Sequence, residues 1–391
     1  MRPWRLVALL SATATASYLC RVNVSVAGVL MMRELGLSPQ TMGQVFSAFL
    51  VGYAACQIPG GMLADRFGAP RVLGWAALAW VAATGWMVGA GASVVGLLGA
   101  RCALGVAEAP TFPAAAQAIS RTMPPAQRGR ANGVVVAAIG LGSAIAPPLV
   151  SFAMVRWGWR AALMVSSLPA LAVGCAWMTI RIPRASDAVA TPKPSGRPRS
   201  RSFVLLTLSY TLQGYVGYIF VFWFYLYLVD VRHFDLLRGA LFASLPWLLS
   251  IVSIPLGGWL FDRARHDRRA IPMAGLAGSG AFIAIGAHTQ HAYLAAICLA
   301  LATALVLSVE GPFWATMTAV AGARSGAGGG VMNMGSNIGG LISPALTPVI
   351  AAAAGWQSAL TWSGALAVAA ALLWCWIQIP AVPPKAAETA R

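Results

Sequence analysis

Long apolar stretches alternate with short polar breaks along the whole chain. Apolar runs recur at roughly 6–31, 39–63, 71–91, 94–120, 131–155, 159–180, 203–229, 236–261, 271–289, 292–320, 328–354 and 357–379. Each is long enough to cross a hydrocarbon core of about 30 Å as a helix. The runs are continuous rather than alternating, which argues against a β-barrel. The pattern predicts an all-α polytopic membrane protein with twelve transmembrane helices. Between Arg181 and Ser202 it gives way to "RIPRASDAVATPKPSGRPRSRS", basic and rich in proline and serine. That composition suits a flexible linker. It divides the chain into a six-helix bundle over 1–180, a linker over 181–202, a second six-helix bundle over 203–380 and a tail over 381–391.

The two halves are related. "GGMLADR" at Gly60–Arg66 matches "GGWLFDR" at Gly257–Arg263, 197 positions later. The same offset pairs Gly133 with Gly330, Gly142 with Gly339, Pro147 with Pro344 and Gly158-Trp159 with Gly355-Trp356. An offset of 202 pairs "EAP" at Glu108–Pro110 with "EGP" at Glu310–Pro312. Matches in order at half the chain length indicate an internal duplication. Two parallel six-helix repeats joined by a linker are the layout of major facilitator transporters, whose halves rock about a site between them.

Composition sharpens the picture. Of 391 residues 59% are hydrophobic and 9% charged, against about 25% charged for a soluble domain, and the formal charge is +17. In a soluble chain that charge would suggest nucleic acid. Here the bilayer explains it. With both termini cytoplasmic, twenty lysines and arginines fall in inner segments and five in outer loops. The positive-inside rule then sets the orientation, and a bacterial inner membrane is the expected location. The six cysteines all fall within spans, with no CxxC spacing, and read as small apolar packing residues. The apolar run of helix 7, "FVFWFYLYLV", reads as lipid-facing or core.

Charge inside the spans is the sharper signal. Arg21, Arg101, Glu108 and Glu310 lie deep in apolar runs. Each costs roughly 2.5–3.5 kcal/mol to insert, so such residues mark a pathway or a pair. Arg101 and Glu108 are two turns apart, about 10.5 Å along one face of helix 4, and can bracket one cavity. Around them, Tyr18 lies one turn from Arg21, Tyr53 and Gln57 share a face of helix 2, and Gln213 interrupts helix 7. Trp314 offers a wall, and Asn333 and Asn337 stand one turn apart in helix 11. Buried amides need partners, so each of these faces the substrate or glues helices together. At the loop after helix 2, Asp65 and Arg66 form a candidate gate, repeated at Asp262 and Arg263. An acid there can cap a helix or pair with a basic residue of the other half. Glu310 begins "EGP", where Pro312 breaks the helix, and is assigned a gating or structural role ahead of a coupling one.

"YLCRVNVSVAG", "SAFLVGYAACQIPGG", "RCALGVAEAPTFPA", "RGRANG", "VEGPFWA" and "GVMNMGSNIGGLISP" fall in order across the helices. Together they resemble the anion:cation symporters of the major facilitator superfamily. That family includes hexuronate, galactonate and phthalate permeases and the sialin-like group. The resemblance implies that Arg21 binds the substrate's anionic group, and that Glu108 is a proton-coupling acid tuned by Arg101. Bacterial members commonly carry an aspartate before the helix-1 arginine; this chain has Cys20. A thiol titrates near pH 8.5 in water and higher when buried, so Cys20 does not replace that acid. Coupling then rests on Glu108 alone, runs at lower stoichiometry, or is lost.

The sequence contains no GxxxxGK, GxSxG or HExxH pattern, so no ATP loop, catalytic constellation, metal site or cofactor is expected. The expectation is a monomeric secondary transporter, not an enzyme. It imports a small mono-acid with protons: a sugar acid, an aromatic carboxylate or a short sulfonate such as sulfoacetate. The rivals are a drug/proton antiporter, an uncoupled anion facilitator and a transporter-like sensor. "IGLGSAIAPPLV" in helix 5 lacks the glycine pattern of the antiporters.

Overall fold

The computed structural model describes residues 3–89, 93–180, 201–264, 267–322 and 325–379. Most of the expected linker, 181–202, and all of the tail, 381–391, lie outside the described residues.

The first bundle comprises α1 (Pro3–Leu35), α2 (Pro39–Phe67), α3 (Ala69–Gly89) and α4 (Val94–Thr122), followed by one run over Pro125–Thr179. That run turns at Gly158, φ 77°, into α5 (125–157) and α6 (159–179). The second bundle comprises α7 (Arg201–Phe222), α8 (Leu236–Arg263), α9 (Ala270–His288) and α10 (Ala292–Ala321). A final run over Ser325–Leu373 turns at Gly355, φ 85°, into α11 (325–354) and α12 (356–373). The described residues therefore hold the twelve apolar spans that the hydropathy pattern predicts.

The duplication reaches local detail. Gly158 and Gly355, 197 positions apart, make the same left-handed turn, a conformation that strains any side chain bearing Cβ. Ser38 caps α2 by accepting from Thr41 N, and Asp235, at the same offset, caps α8 by accepting from Leu237 N and Arg238 N. Packing repeats too: α1 lies along α5 and α6, and α7 along α11 and α12.

Three departures from simple spans matter. α4 breaks at Ala109–Pro110 and α10 at Val309, where each proline leaves the preceding turn short of a donor. α7 ends early: Trp223 interrupts it, and Tyr227–Val231 winds as a π turn. The aromatic run there is not lipid-facing. Phe222, Trp223, Phe224, Tyr225 and Tyr227 are all buried between helices.

Ser202 Oγ accepts from Gln378 N at 2.9 Å, so the start of α7 and the end of the last span share one end of the molecule. That end carries Arg66, Arg121, Arg128, Arg130, Arg201, Arg263, Arg268 and Arg269; we call it the arginine-rich end. The halves meet along α2–α11 and α5–α8. Among the described residues, every hydrogen bond between the halves lies toward the opposite, far end. Arg33 donates to Asp230 at 2.8 Å, Ser47 to the Leu341 carbonyl at 2.8 Å, Ser151 to the Leu236 carbonyl at 2.7 Å and Ser244 to the Ala144 carbonyl at 2.7 Å. Ser151 also meets the Tyr225 hydroxyl at 3.3 Å. The far end is sealed, and the molecule is open at the arginine-rich end.

Candidate functional site

The site is built where α1, α2 and α4 converge. A Cβ on Gly105 would lie 2.0 Å from the Phe49 carbonyl oxygen, and one on Gly52 2.2 Å from that of Cys102. Two bare backbones thus let α2 and α4 approach closely. This brings Phe49 and Tyr53 of α2 over the charged groups of α1 and α4.

Arg21 is 2% exposed and Glu108 fully buried. Arg21 donates Nε and Nη2 to a single oxygen, Glu108 Oε1, at 2.9 and 2.5 Å. Ser17 Oγ donates to the same oxygen at 2.6 Å. Arg21 Nη1 donates to the Tyr18 hydroxyl at 3.1 Å. The guanidinium lies 4.5 Å from the ring centre of Tyr18, 4.7 Å from Tyr53 and 4.9 Å from Phe49, a cage of π faces suited to a desolvated cation.

Arg101 sits behind this group. Its Nη2 donates to the Arg21 carbonyl at 3.3 Å, and its guanidinium lies 5.1 Å from the Phe49 ring centre. Phe49 therefore stands between two guanidiniums. Arg101 Nε and Nη1 and Glu108 Oε2 are buried without a hydrogen-bond partner among the described residues. Arg101 and Glu108 do not bracket the cavity as the helix spacing suggests. Neither lines it; they back Arg21 from inside the bundle.

A cavity of about 640 Å³ separates the halves. Among the described residues its charged lining groups are Arg21 from one half and Glu310 from the other. Of the candidate substrate-binding residues, Tyr18, Gln213, Trp314, Asn333 and Asn337 line it, together with Tyr218, Trp247 and Ser250. Gln213 Nε2 and the Tyr210 hydroxyl donate to the two oxygens of Glu310 at 3.0 and 2.7 Å. Asn337 Nδ2 is buried without a partner. Tyr53 contributes through its face on Arg21. Gln57, one turn further along α2, makes no hydrogen bond and lies off the cavity wall.

The candidate gates occupy the arginine-rich end. Asp65 accepts from Gln117 Nε2 of its own half at 2.5 Å. Arg66 rests on Phe67 at 5.2 Å and Arg263 on Trp259 at 4.4 Å. Among the described residues the Asp262 carboxylate has no ion-pair or hydrogen-bond partner. None reaches across the halves here, in keeping with the open end. The hydrogen bonds of Glu310 also stay within its own half.

Among the groups in contact with the Arg21–Glu108 pair, Ser17 and Phe49 are the ones that sequence reasoning missed. Ser17 lies one turn before Arg21, and Phe49 one turn before Tyr53, so helical spacing was the available signal.

The chain matches the model of the Major Facilitator Superfamily over residues 9–344. It belongs to that superfamily. Its members are membrane transporters, and this chain is an integral multi-pass membrane protein of that kind rather than an enzyme. It is 35% identical over 362 residues to a probable sulfoacetate transporter, SauU, of Cupriavidus necator, covering 84% of this chain and 82% of the relative. It is 28% identical over 380 residues to a hexuronate transporter of Bacillus subtilis, covering 91% and 90%. Among solved structures, a bacterial homologue of the human lysosomal transporter Spinster, inward-facing and unoccupied, superposes with a TM-score of 0.82 at 18% identity, covering 95% and 96%. A D-xylose-proton symporter superposes with a TM-score of 0.78 at 16% identity, covering 96% and 98%. These two likenesses concern the fold alone.

Proposed function

We propose that this transporter imports a small organic anion together with protons across a bacterial inner membrane. The observation that carries the reading is the place of Arg21. Among the described residues it is the cation that lines the cavity, and its ionic partner is a glutamate that lies behind it, off the cavity wall. The resemblance to sulfoacetate, hexuronate and galactonate transporters supports the anion class. A short sulfonate such as sulfoacetate is the first substrate to test.

The physical logic is exchange of partners. In the empty site Glu108 neutralises Arg21, so no bare charge sits in the membrane. An arriving anion takes the guanidinium. Glu108 then loses its counter-ion inside an apolar bundle and takes a proton instead. Anion binding and protonation thereby favour each other, as linkage requires. Arg101 keeps the region positive and orients the Arg21 backbone through its carbonyl. Cys20, fully buried, has no part in the cycle.

By the positive-inside rule the arginine-rich end faces the cytoplasm, so this conformation is inward-open. Asp65, Arg66, Asp262 and Arg263 act when that end closes, by pairing across the halves in the outward-open state. The test is uptake into proteoliposomes from a panel of sulfoacetate, galactonate, hexuronate, an aromatic carboxylate and a cationic dye, with and without an inward proton gradient. Gradient-driven uptake of one anion is the expected result. Gradient-independent uptake refutes coupling, and movement of the dye alone refutes the anion site.

A further inference from the structure

The two cavity charges belong to copies of one motif. In the first half, the Tyr18-Arg21 pair of α1 meets Glu108 at the break in α4. In the second, the Tyr210-Gln213 pair of α7 meets Glu310 at the break in α10. The α1–α7 match has an offset of 192 and the α4–α10 match an offset of 202, against 197 for the helices that carry the duplication. α7 runs away from the arginine-rich end and α10 toward it. Both deviations therefore move the second copy the same way, by five residues or about 7.5 Å of helix rise, toward the open end. The copies differ in one further respect. Gln213 stands where the first copy has its arginine, so Glu310 has no cation.

Glu310 also faces the cavity, whereas Glu108 is sealed behind Arg21. Its neighbours supply no opposite charge. The titratable groups around it are Tyr210 and Tyr218 of α7, with Tyr18 and Arg21 across the cavity. Among the described residues α8, α9, α11 and α12 present none at this depth. The four ionisable groups deep in the spans, Arg21, Arg101, Glu108 and Glu310, sum to zero. A substrate with one negative charge is balanced when Glu108 takes a proton. A second negative charge is not, because among the described residues the one cation open to the cavity is already engaged, and the remaining charged wall is an acid.

We propose that Glu310 is a second proton site, occupied when the transported anion carries a second negative charge, so that a sulfocarboxylate dianion enters with one more proton than a sugar monoacid. The step needs only a proton from water in the open cavity. It adds to a carboxylate oxygen of Glu310, and the Tyr210 hydroxyl turns from donor to acceptor. The hydroxyl hydrogen of Tyr210, no longer given to Glu310, is then free to donate to the far end of the substrate. The proposal rests on the anion reading above.

The test uses the full chain, purified in weakly buffered detergent with a pH dye, and counts protons taken up per anion bound. Galactonate is the singly charged probe and sulfoacetate the doubly charged one. In the wild type, sulfoacetate should bring one more proton than galactonate, and its Kd should rise one extra factor of ten per pH unit. Glu310→Gln should abolish both differences. Should that variant bind neither probe, Glu108→Gln decides: sulfoacetate must still bring one proton to it. Equal counts for the two anions in the wild type, a difference that persists in Glu310→Gln, or no proton in Glu108→Gln each overturn the proposal. A wild type that binds neither anion fails the anion reading itself, a distinct outcome.

Discussion

Replacing Arg21 with alanine removes one partner of a fully buried pair and leaves the other behind. Glu108 would keep one donor, Ser17 Oγ, with no cation in contact and no exposed surface. At a pH high enough to keep Glu108 ionised, breaking a buried pair in this way costs about 3–5 kcal/mol, mostly from the stranded charge. The three rings stacked on the guanidinium lose their contact as well. Adding Glu108→Gln to the same chain removes that charge and leaves a neutral amide, whose unmet hydrogen bonds cost about 1–3 kcal/mol. The double variant should therefore be more stable than Arg21→Ala by about 2 kcal/mol, although it carries one more substitution. Anion binding should be lost from both. Thermal unfolding in detergent, followed by intrinsic fluorescence with anion titrations alongside, measures both quantities. An Arg21→Ala protein as stable as the wild type would mean that the ion pair does not hold the site. Retained anion affinity would mean that Arg21 is not the anion's partner.

Other outcomes follow from the geometry. Gly105→Ala places a Cβ 2.0 Å from the Phe49 carbonyl, so it should push α2 from α4, destabilise by about 1–3 kcal/mol and weaken anion binding; Gly85→Ala, with nothing within 4 Å, should be harmless in the same unfolding assay. Arg33→Ala should loosen the far end by about 0.2–1 kcal/mol, as an exposed pair does. Faster maleimide labelling of Ser47→Cys from that side would show it, and the swap Arg33→Asp with Asp230→Arg should restore the slower rate. Hydrogen bonds from Arg160 and Trp159 hold the Glu34 carboxyl below the usual range. A depressed carboxylate stabilises above its ordinary titration range and loses that effect as pH falls through its folded value. The Trp159 emission should therefore change on acidification below the ordinary glutamate range and stay flat in Glu34→Gln.

Much of this was legible in the sequence because membranes make certain residues expensive. A charge at Arg21 or Glu108 has no cheap explanation inside an apolar run, so both announced themselves, and the structure brings them into contact. The repeat of Gly158 at Gly355 marked the duplication, and the structure gives both positions the same turn. What stayed hidden is made of ordinary residues. Ser17 and Phe49 fit any membrane helix, and only the approach of α2, permitted at Gly52 and Gly105, gives them roles. The spacing of Arg101 and Glu108 suggested a shared cavity wall because spacing fixes a face but not what the neighbouring helix covers. The seal at the far end has no motif, since serine hydroxyls there meet backbone carbonyls that every residue possesses.

The ion pair at the far end has an implication for ancestry. Arg33 and Asp230 are 197 positions apart, the offset that also relates the neighbouring helix caps Ser38 and Asp235, so at this end of the molecule they occupy corresponding places in the two copies. In two identical copies facing each other, such positions hold the same side chain, and like charges would repel. A bond of opposite charges across the axis requires that the two copies differ, as copies on one gene product can once they drift separately. Arg21 facing Glu310, with Gln213 in the arginine's place, is the same kind of broken symmetry. Fusion thus did more than tether two halves: it let an arrangement that no homodimer can encode become heritable.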